Sequence, residues 1–405
     1  NTSIPVKRNY VTTIKGNILT YADDFTVEIK PDFVGEEEVA FVEVESANDL
    51  VEAINNAQAG EETIITLVDD IDLNDLLSAG TLATRAAADR TVAIKAGRVI
   101  SLNLNGLKLS ATSTQTGKNY NMFDVQGTLS LANGTIEYEH KGENMGWGAS
   151  TNLFNVTAGG VLNLDGVTAK NLGGSDMGFV AHLNNWGKVT LNVENSTLES
   201  NYVAVRVFNS GPDMNNVTIK NSTLKGNSAA FWVHNYTVAD FGTEAKAEAQ
   251  KALLNLDIFD GTNTFVGSKP GAPIRYGMTN ALYFGLVKDE ASLAEILAAG
   301  WSVILANDIV LEKPLKIANE KNTVINLNGC TISATESATG SYGLITNQGE
   351  LTVSGPGKLQ LTATVNRGWN AYSSVISNTV GGNLTVENVE LEHLGGTDMA
   401  YGIDN

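Results

Sequence analysis

The stretch that decides the fold runs Gly127-Thr128-Leu129-Ser130-Leu131-Ala132-Asn133-Gly134-Thr135-Ile136. Leu129 and Leu131 alternate with small polar residues, the period of a half-buried strand. Asn133-Gly134 then supplies two residues that tolerate positive φ, so the chain can turn tightly there. Thr135-Ile136 opens a second short strand. The same wording recurs as Leu104-Asn105-Gly106-Leu107, Leu164-Asp165-Gly166-Val167, Val193-Glu194-Asn195-Ser196-Thr197-Leu198, Ile219-Lys220-Asn221-Ser222-Thr223-Leu224 and Ile258-Phe259-Asp260-Gly261-Thr262. From Leu131 to Leu164, Val193 and Ile219 the steps are 33, 29 and 26 residues, which suit one solenoid turn of two or three short strands. Further apolar strands lie between, among them Met122-Phe123-Asp124-Val125, Leu153-Phe154-Asn155-Val156, Phe179-Val180-Ala181-His182-Leu183, Tyr202 to Val207 and Ala230-Phe231-Trp232-Val233. One coil cannot bury its apolar face alone, but stacked coils make a continuous core. The expected fold is all-β, a right-handed parallel β-helix.

A longer repeat encloses the short one. Leu172-Gly173-Gly174-Ser175-Asp176-Met177 returns as Leu394-Gly395-Gly396-Thr397-Asp398-Met399, an offset of 398 − 176 = 222. That offset also carries Trp147 onto Trp369 and Gly127 to Leu131 onto Gly349 to Val353. With one residue more, Leu102-Asn103-Leu104-Asn105-Gly106 matches Ile325-Asn326-Leu327-Asn328-Gly329; further upstream, at an offset of 305 − 67 = 238, Leu67 to Leu73 parallels Leu305 to Leu311. The solenoid is therefore built twice in tandem. Ser46 to Ala57, with Leu50, Val51 and Ile54 on one face and Ser46 as N-cap, predicts a helix before the first copy. Glu290 to Ala299 predicts another before the second. Each would cover an open first coil, as solenoid ends require. The expected organisation is an N-terminal β segment at 1–40, a first copy at 41–285 and a second at 286–405. The second stops soon after Asp398, so a continuing chain or another domain is expected to cover its end.

Composition narrows the function. The 405 residues carry 26 basic and 45 acidic side chains, a net −19, which argues against a nucleic-acid partner. A single cysteine, Cys330, rules out an internal disulfide framework and reads as a small core residue. No apolar run approaches a membrane span. The 40 glycines against 7 prolines fit a chain of many tight turns.

The N-terminal segment carries a resemblance. "IPVKRNYVTTIKGNILT" at 4–20 followed by "FTVEIKPDF" at 25–33 resembles the closing strands of fimbrillin-like β-sandwich domains. Those domains belong to surface fimbriae of anaerobic Gram-negative bacteria. The resemblance covers residues 1–34 and implies an exported protein at the cell surface, with a lipid anchor upstream of this chain. The strand-turn repeat of the remainder is similar to the pectate-lyase-like β-helix superfamily, which holds polysaccharide lyases and hydrolases as well as non-enzymatic adhesins. Fold alone does not choose between them.

The candidate ligand-binding residues are the duplicated ones. Trp147 and Trp369 stand in glycine-flanked loops, where an indole either lies exposed and stacks on a sugar ring or pins its loop onto the core. Asp176 and Asp398 end the Gly-Gly-Ser/Thr-Asp element, where a carboxylate either accepts hydrogen bonds from a ligand or caps its own turn. The four histidines, His140, His182, His234 and His393, are scattered, and His182 and His393 align with Asp404 and Asn171. No catalytic or metal residue is assigned and no cofactor is expected. Asp69, Asp70 and Asp72 form the one cluster with calcium chemistry, against the simpler reading of a solvated turn. Asn195-Ser196-Thr197, Asn221-Ser222-Thr223 and Asn235-Tyr236-Thr237 match glycosylation acceptors but read as turn residues. The leading expectation is a surface-displayed, non-catalytic adhesin or fimbria-associated protein binding an extracellular glycan or a surface protein. A β-helix lyase or hydrolase using Asp124, Asp176, His182 and Arg206 is the alternative. A structural stalk is the third.

Overall fold

The computed structural model describes residues 40–74, 91–114, 119–142, 149–157, 159–173, 177–184, 189–208, 216–234, 256–277, 281–366, 369, 371–395 and 399–405. By contacts the chain divides after Glu38, and the unit from Val39 to Asn405 is the one described below. It is a parallel β-solenoid whose coils carry three strands each. In one coil Val161–Gly173 supplies the first two strands, bent at Gly166 (φ 63°), and Gly178–Asn184 supplies the third. Val161–Gly173 pairs in parallel with Thr128–His140 on one side and with Thr190–Glu194 and Thr197–Ser200 on the other. Leu131, Leu164, Val193 and Ile219 stand in register and are buried, so the three sequence steps are three successive coils.

The turns between the first and second strands set the stack. Asn105, Asn133, Asn195, Asn221, Asn328 and Asn388 all take φ between 47° and 59°, a left-handed conformation that asparagine tolerates. Beside them runs a ladder of hydrogen bonds from coil to coil. The Val167 amide donates to Ser196 Oγ (3.0 Å), the Ser196 amide to Ser222 Oγ (3.1 Å), and the Ser222 amide to Asn263 Oδ1 (3.0 Å). Two of the Asn-Ser-Thr triplets are thus turn chemistry, each satisfying a buried amide of the preceding coil. Asn235 lies outside the described residues.

Helix α1 (Ala47–Asn56) and helix α2 (Glu290–Ala298) occupy the predicted positions. Ser46 Oγ accepts from the Asp49 amide in α1, and Asp289 Oδ1 accepts from the Ser292 amide in α2. Leu50 and Ile54 of α1 join Val44, Ile65 and Leu67 in the core of the first copy. Arg98 closes the far end of α1, donating to Ile54 O (2.8 Å) and Asn55 O (2.9 Å), where a cation meets the negative end of the helix dipole. Leu293, Ile296 and Leu297 of α2 join Leu305 and Leu315 in the core of the second copy. Among the described residues no helix is long and apolar enough to cross a membrane.

The two copies are joined through one sheet. Third strands of the first copy, from Val92–Ile94 to Ile274–Tyr276, continue into Leu282–Val287, Ser302–Leu305, Asn322–Asn326, Glu350–Ser354 and Asn383–Glu387. From Ser302–Leu305 onward these are first strands of the second copy. The pairing Ile274↔Phe284, Tyr276↔Leu282 is antiparallel, whereas the stacked pairings on either side are parallel. The reversal has a geometric consequence. A solenoid of unchanged hand that advances the same way along a sheet, but with its strands reversed, must close on the opposite face. The cores obey this: Ile304 and Val324 belong to the first core, while Val303, Leu305 and Ile325 belong to the second. The sequence boundary at 285/286 falls inside the strand Leu282–Val287.

Candidate functional site

Of the four ligand-binding candidates, Trp147, Asp176 and Asp398 lie outside the described residues. Trp369 is described and stands 81% exposed between Lys358–Ala363 and Ser373–Asn378.

The structure gathers other residues instead, on the outer face of the third strands. Each such strand bends where two successive residues turn inward, as Val180 and Ala181 do in one and Ala204 and Val205 in the next, all four in the first core. The residue after the bend faces out. Register then aligns these residues in one column: Asp124 beside Asn155, Asn155 beside His182, His182 beside Arg206, Arg206 beside Trp232, and Trp232 beside Arg275. Three of the four enzyme candidates, Asp124, His182 and Arg206, therefore share a column, although 82 residues separate Asp124 from Arg206.

The column changes character along its length. At its start Asp124 accepts from Asn121 Nδ2 and Asn155 Nδ2, both at 2.8 Å, and is half-buried. At His182 the surroundings become apolar and closed: His182 is 8% exposed, Arg206 3% and Trp232 fully buried. The Arg206 guanidinium lies over the rings of Phe208 (4.3 Å), Trp232 (4.8 Å) and Phe179 (5.0 Å), and the Arg275 guanidinium also lies over the Trp232 ring, at 4.4 Å. The indole of Trp232 stacks on His234 at 4.4 Å and 9°, and its N–H donates to Gly277 O (2.9 Å). Trp232 packs apart from the main core, in a buried cluster with Met177, Phe179, Val203 and Ala229.

Protonation follows from these neighbours. Arg206 donates to Nδ1 of His234 (2.5 Å), so that nitrogen carries no proton and the neutral ring holds its hydrogen on Nε2. Burial, with Arg206 and then Arg275 beside it, pushes His234 down to about 3. Burial, with Arg206 and then His234 beside it, pushes His182 to about 3 as well. Among the described residues neither nitrogen of His182 has a hydrogen-bond partner. The arrangement holds two neutral imidazoles against two guanidiniums, which suits a donor–acceptor role for the histidines rather than a cationic one.

The remaining candidates have structural roles. Asp70 Oδ1 accepts from the Lys108 amide (2.8 Å), Asp69 Oδ1 from the Asp70 amide and Asp72 Oδ1 from the Asn74 amide. Asp308, which corresponds to Asp70, accepts from the Thr331 amide (2.7 Å). Among the described residues no three or more His, Cys, Asp or Glu side chains gather as a metal site requires. Asn171 is buried and donates to Thr151 O and Phe179 O, sealing a corner of its coil. His393 occupies that place in the second copy and bonds Ser373 Oγ (2.9 Å), which reaches Glu336 Oε1 (3.3 Å). Cys330 is half-buried, and burial pushes its thiol up, away from the thiolate a nucleophile needs.

Trp232, His234 and Arg275 were not singled out from sequence as site residues. The signal is faint: Asn155, His182, Arg206 and Trp232 stand two or three positions after the first apolar residue of their strands, but Arg275 stands one after Ile274. Only strand-by-strand alignment brings those positions together.

A family model described as a family of unknown function (DUF6562) matches residues 1–66, about a sixth of the chain. The match extends past the N-terminal segment through α1 and into the strand Glu62–Leu67. No curated protein and no solved structure matches the chain.

Proposed function

We propose that this chain is a surface-displayed, non-catalytic binding protein of adhesin or fimbria-associated type, holding an extracellular glycan or a surface protein along its solenoid. The observation that carries this reading is Trp369, a large aromatic side chain left 81% exposed in a strand-to-strand connection. Exposing an indole forgoes burial worth roughly 2 kcal/mol or more, so a partner that covers it is a reason for its place. A stacked sheet offers the same side-chain spacing coil after coil, which suits a repetitive ligand. The fimbrillin-like wording of 1–34 supports the surface location, and the solenoid supports a pectate-lyase-like ancestry. Both belong to this proposal.

A second reading is favoured by the column Asp124, Asn155, His182 and Arg206, which puts a carboxylate, an imidazole and a guanidinium on one face. In that reading the chain cleaves a polysaccharide. One experiment separates the two. The chain is incubated with host and plant polysaccharides, and both retention and newly formed chain ends are measured. Retention without new ends is expected, and Trp369→Ala should weaken it at least tenfold. New chain ends would overturn the binding reading in favour of the enzyme.

A further inference from the structure

We infer that a column of outward threonines on the first solenoid, Thr135, Thr168, Thr197, Thr223 and Thr264, is the track on which a neutral polysaccharide lies. This rests on the binding reading above. The five residues come from five consecutive second strands and pair directly: Thr135 with Thr168, Thr168 with Thr197, Thr197 with Thr223, and Thr223 with Thr264. Their neighbours Ile136, Ala169, Leu198 and Leu224 point inward and are fully buried, so the threonines face out. Adjacent strands lie about 4.8 Å apart, which makes a straight track of roughly 19 Å along the solenoid axis.

The hydroxyls distinguish this column from its neighbours. Among the described residues none of the five makes a side-chain hydrogen bond. The polar column on the first strands is engaged with itself: Asn163 Nδ2 donates to Ser130 Oγ (2.9 Å) and Asn192 Nδ2 to Asn163 Oδ1 (2.8 Å). The turn serines Ser196 and Ser222 are likewise used within the fold. Free threonine hydroxyls each donate and accept, and each sits beside a methyl group. That pairing matches a sugar, whose ring carries hydroxyls around an apolar face. Threonine is also stiff at χ1, so little side-chain entropy is lost when a ligand binds.

Charge selects a neutral ligand. The column two residues along reads Glu137, Lys170, Glu199 and Lys225 in register. Its charges cancel, and Lys225 meets Glu199 at 2.6 Å while Lys108 meets Glu137 at 2.9 Å. It offers no net positive charge, and the whole chain carries −19, so an acidic polymer is repelled. In the second copy the corresponding places hold Thr331, Lys358 and Glu390, with Lys358 paired to Glu390 (3.0 Å) and Glu392 (3.1 Å). The track belongs to the first copy alone. A polymer of pyranose rings advances per ring by a distance comparable to the strand spacing, so one ring can meet one threonine.

Threonine columns also stabilise sheets by cross-strand contact, and the test must separate the two roles. Threonine to valine keeps the shape and β-branching and removes only the hydroxyl. The full chain and its Thr168→Val, Thr197→Val, Thr223→Val variant are compared for retention on cellulose, mannan and xylan, with polygalacturonate as the charged control. The expected result is retention of a neutral polymer by the parent, reduced at least tenfold in the variant, with melting temperature maintained. Equal retention by parent and variant overturns the threonine track and leaves the binding reading standing. Retention of polygalacturonate alone overturns the neutral ligand class. No retention of any polymer by the parent overturns the glycan reading and this track together.

Discussion

Val303 and Ile304 are adjacent in sequence and lie in different hydrophobic cores, Ile304 facing the first solenoid and Val303 the second. Both are fully buried, because the strand Ser302–Leu305 is covered on both faces. The two copies therefore have a common wall, and neither can lose it without exposing the apolar side of the other.

A prediction follows for that wall. Ile304→Ala removes buried methylenes from the first core and should cost about 2–5 kcal/mol. Amide hydrogen exchange should then speed up in Ala229–His234 and Ile274–Tyr276. Val303→Ala should instead loosen Glu350–Ser354, whose Leu351 and Val353 belong to the second core. If either substitution accelerates exchange only on the wrong side, the assignment of opposite faces is mistaken.

The buried histidines predict acid sensitivity. His182 and His234 both titrate near 3 in the fold, against about 6.5 in an unfolded chain. Between those values the unfolded state binds more protons, so stability falls as pH falls. It is complete above about 6.5 and is lost progressively toward 3. The neighbouring Arg206 and Arg275 bring the same sign. A melting series from pH 8 to 4 should show a steady decline, shallower in His182→Phe than in the parent chain. Identical slopes in the two proteins would remove His182 from the cause.

The turn ladder predicts a contrast between two neighbours. Ser222→Ala leaves the buried Ser196 amide without its acceptor and should cost about 1–3 kcal/mol. Asn195→Gly keeps the left-handed φ of 49° available and should change stability by a few tenths of a kcal/mol, whereas Asn195→Ala should cost about 1–2 kcal/mol. Urea denaturation of the three variants measures this. A Ser222→Ala variant as stable as the parent would show that the ladder is redundant.

Much of the fold is legible in the sequence. Period-two alternation around Leu129, Leu131 and Ile136, and the Asn-Gly turn between them, are local properties that no distant contact overrides. The capped helix at Ser46 is equally local. The offset of 222 is a comparison of the chain with itself. It holds in three dimensions, since Thr151–Val156 and Ser373–Asn378 are equivalent third strands 222 residues apart. The exposure of Trp369 was not legible, since a glycine-flanked indole serves equally to pin its loop onto a core, and only the structure shows it 81% exposed.

What the sequence determined by itself, then, is the strand, the turn, the coil and their duplication, because each depends on residues within one repeat. What only the tertiary structure decided is which residues of different coils share a column. His182, Arg206, Trp232 and Arg275 meet because their strands pair in register although unequal numbers of residues separate them, and those spacings carry no periodic signal. The reversed joint between the copies is of the same kind. It depends on the antiparallel pairing of Ile274–Tyr276 with Leu282–Val287, a contact set by how two cores pack on one sheet rather than by the wording of either strand.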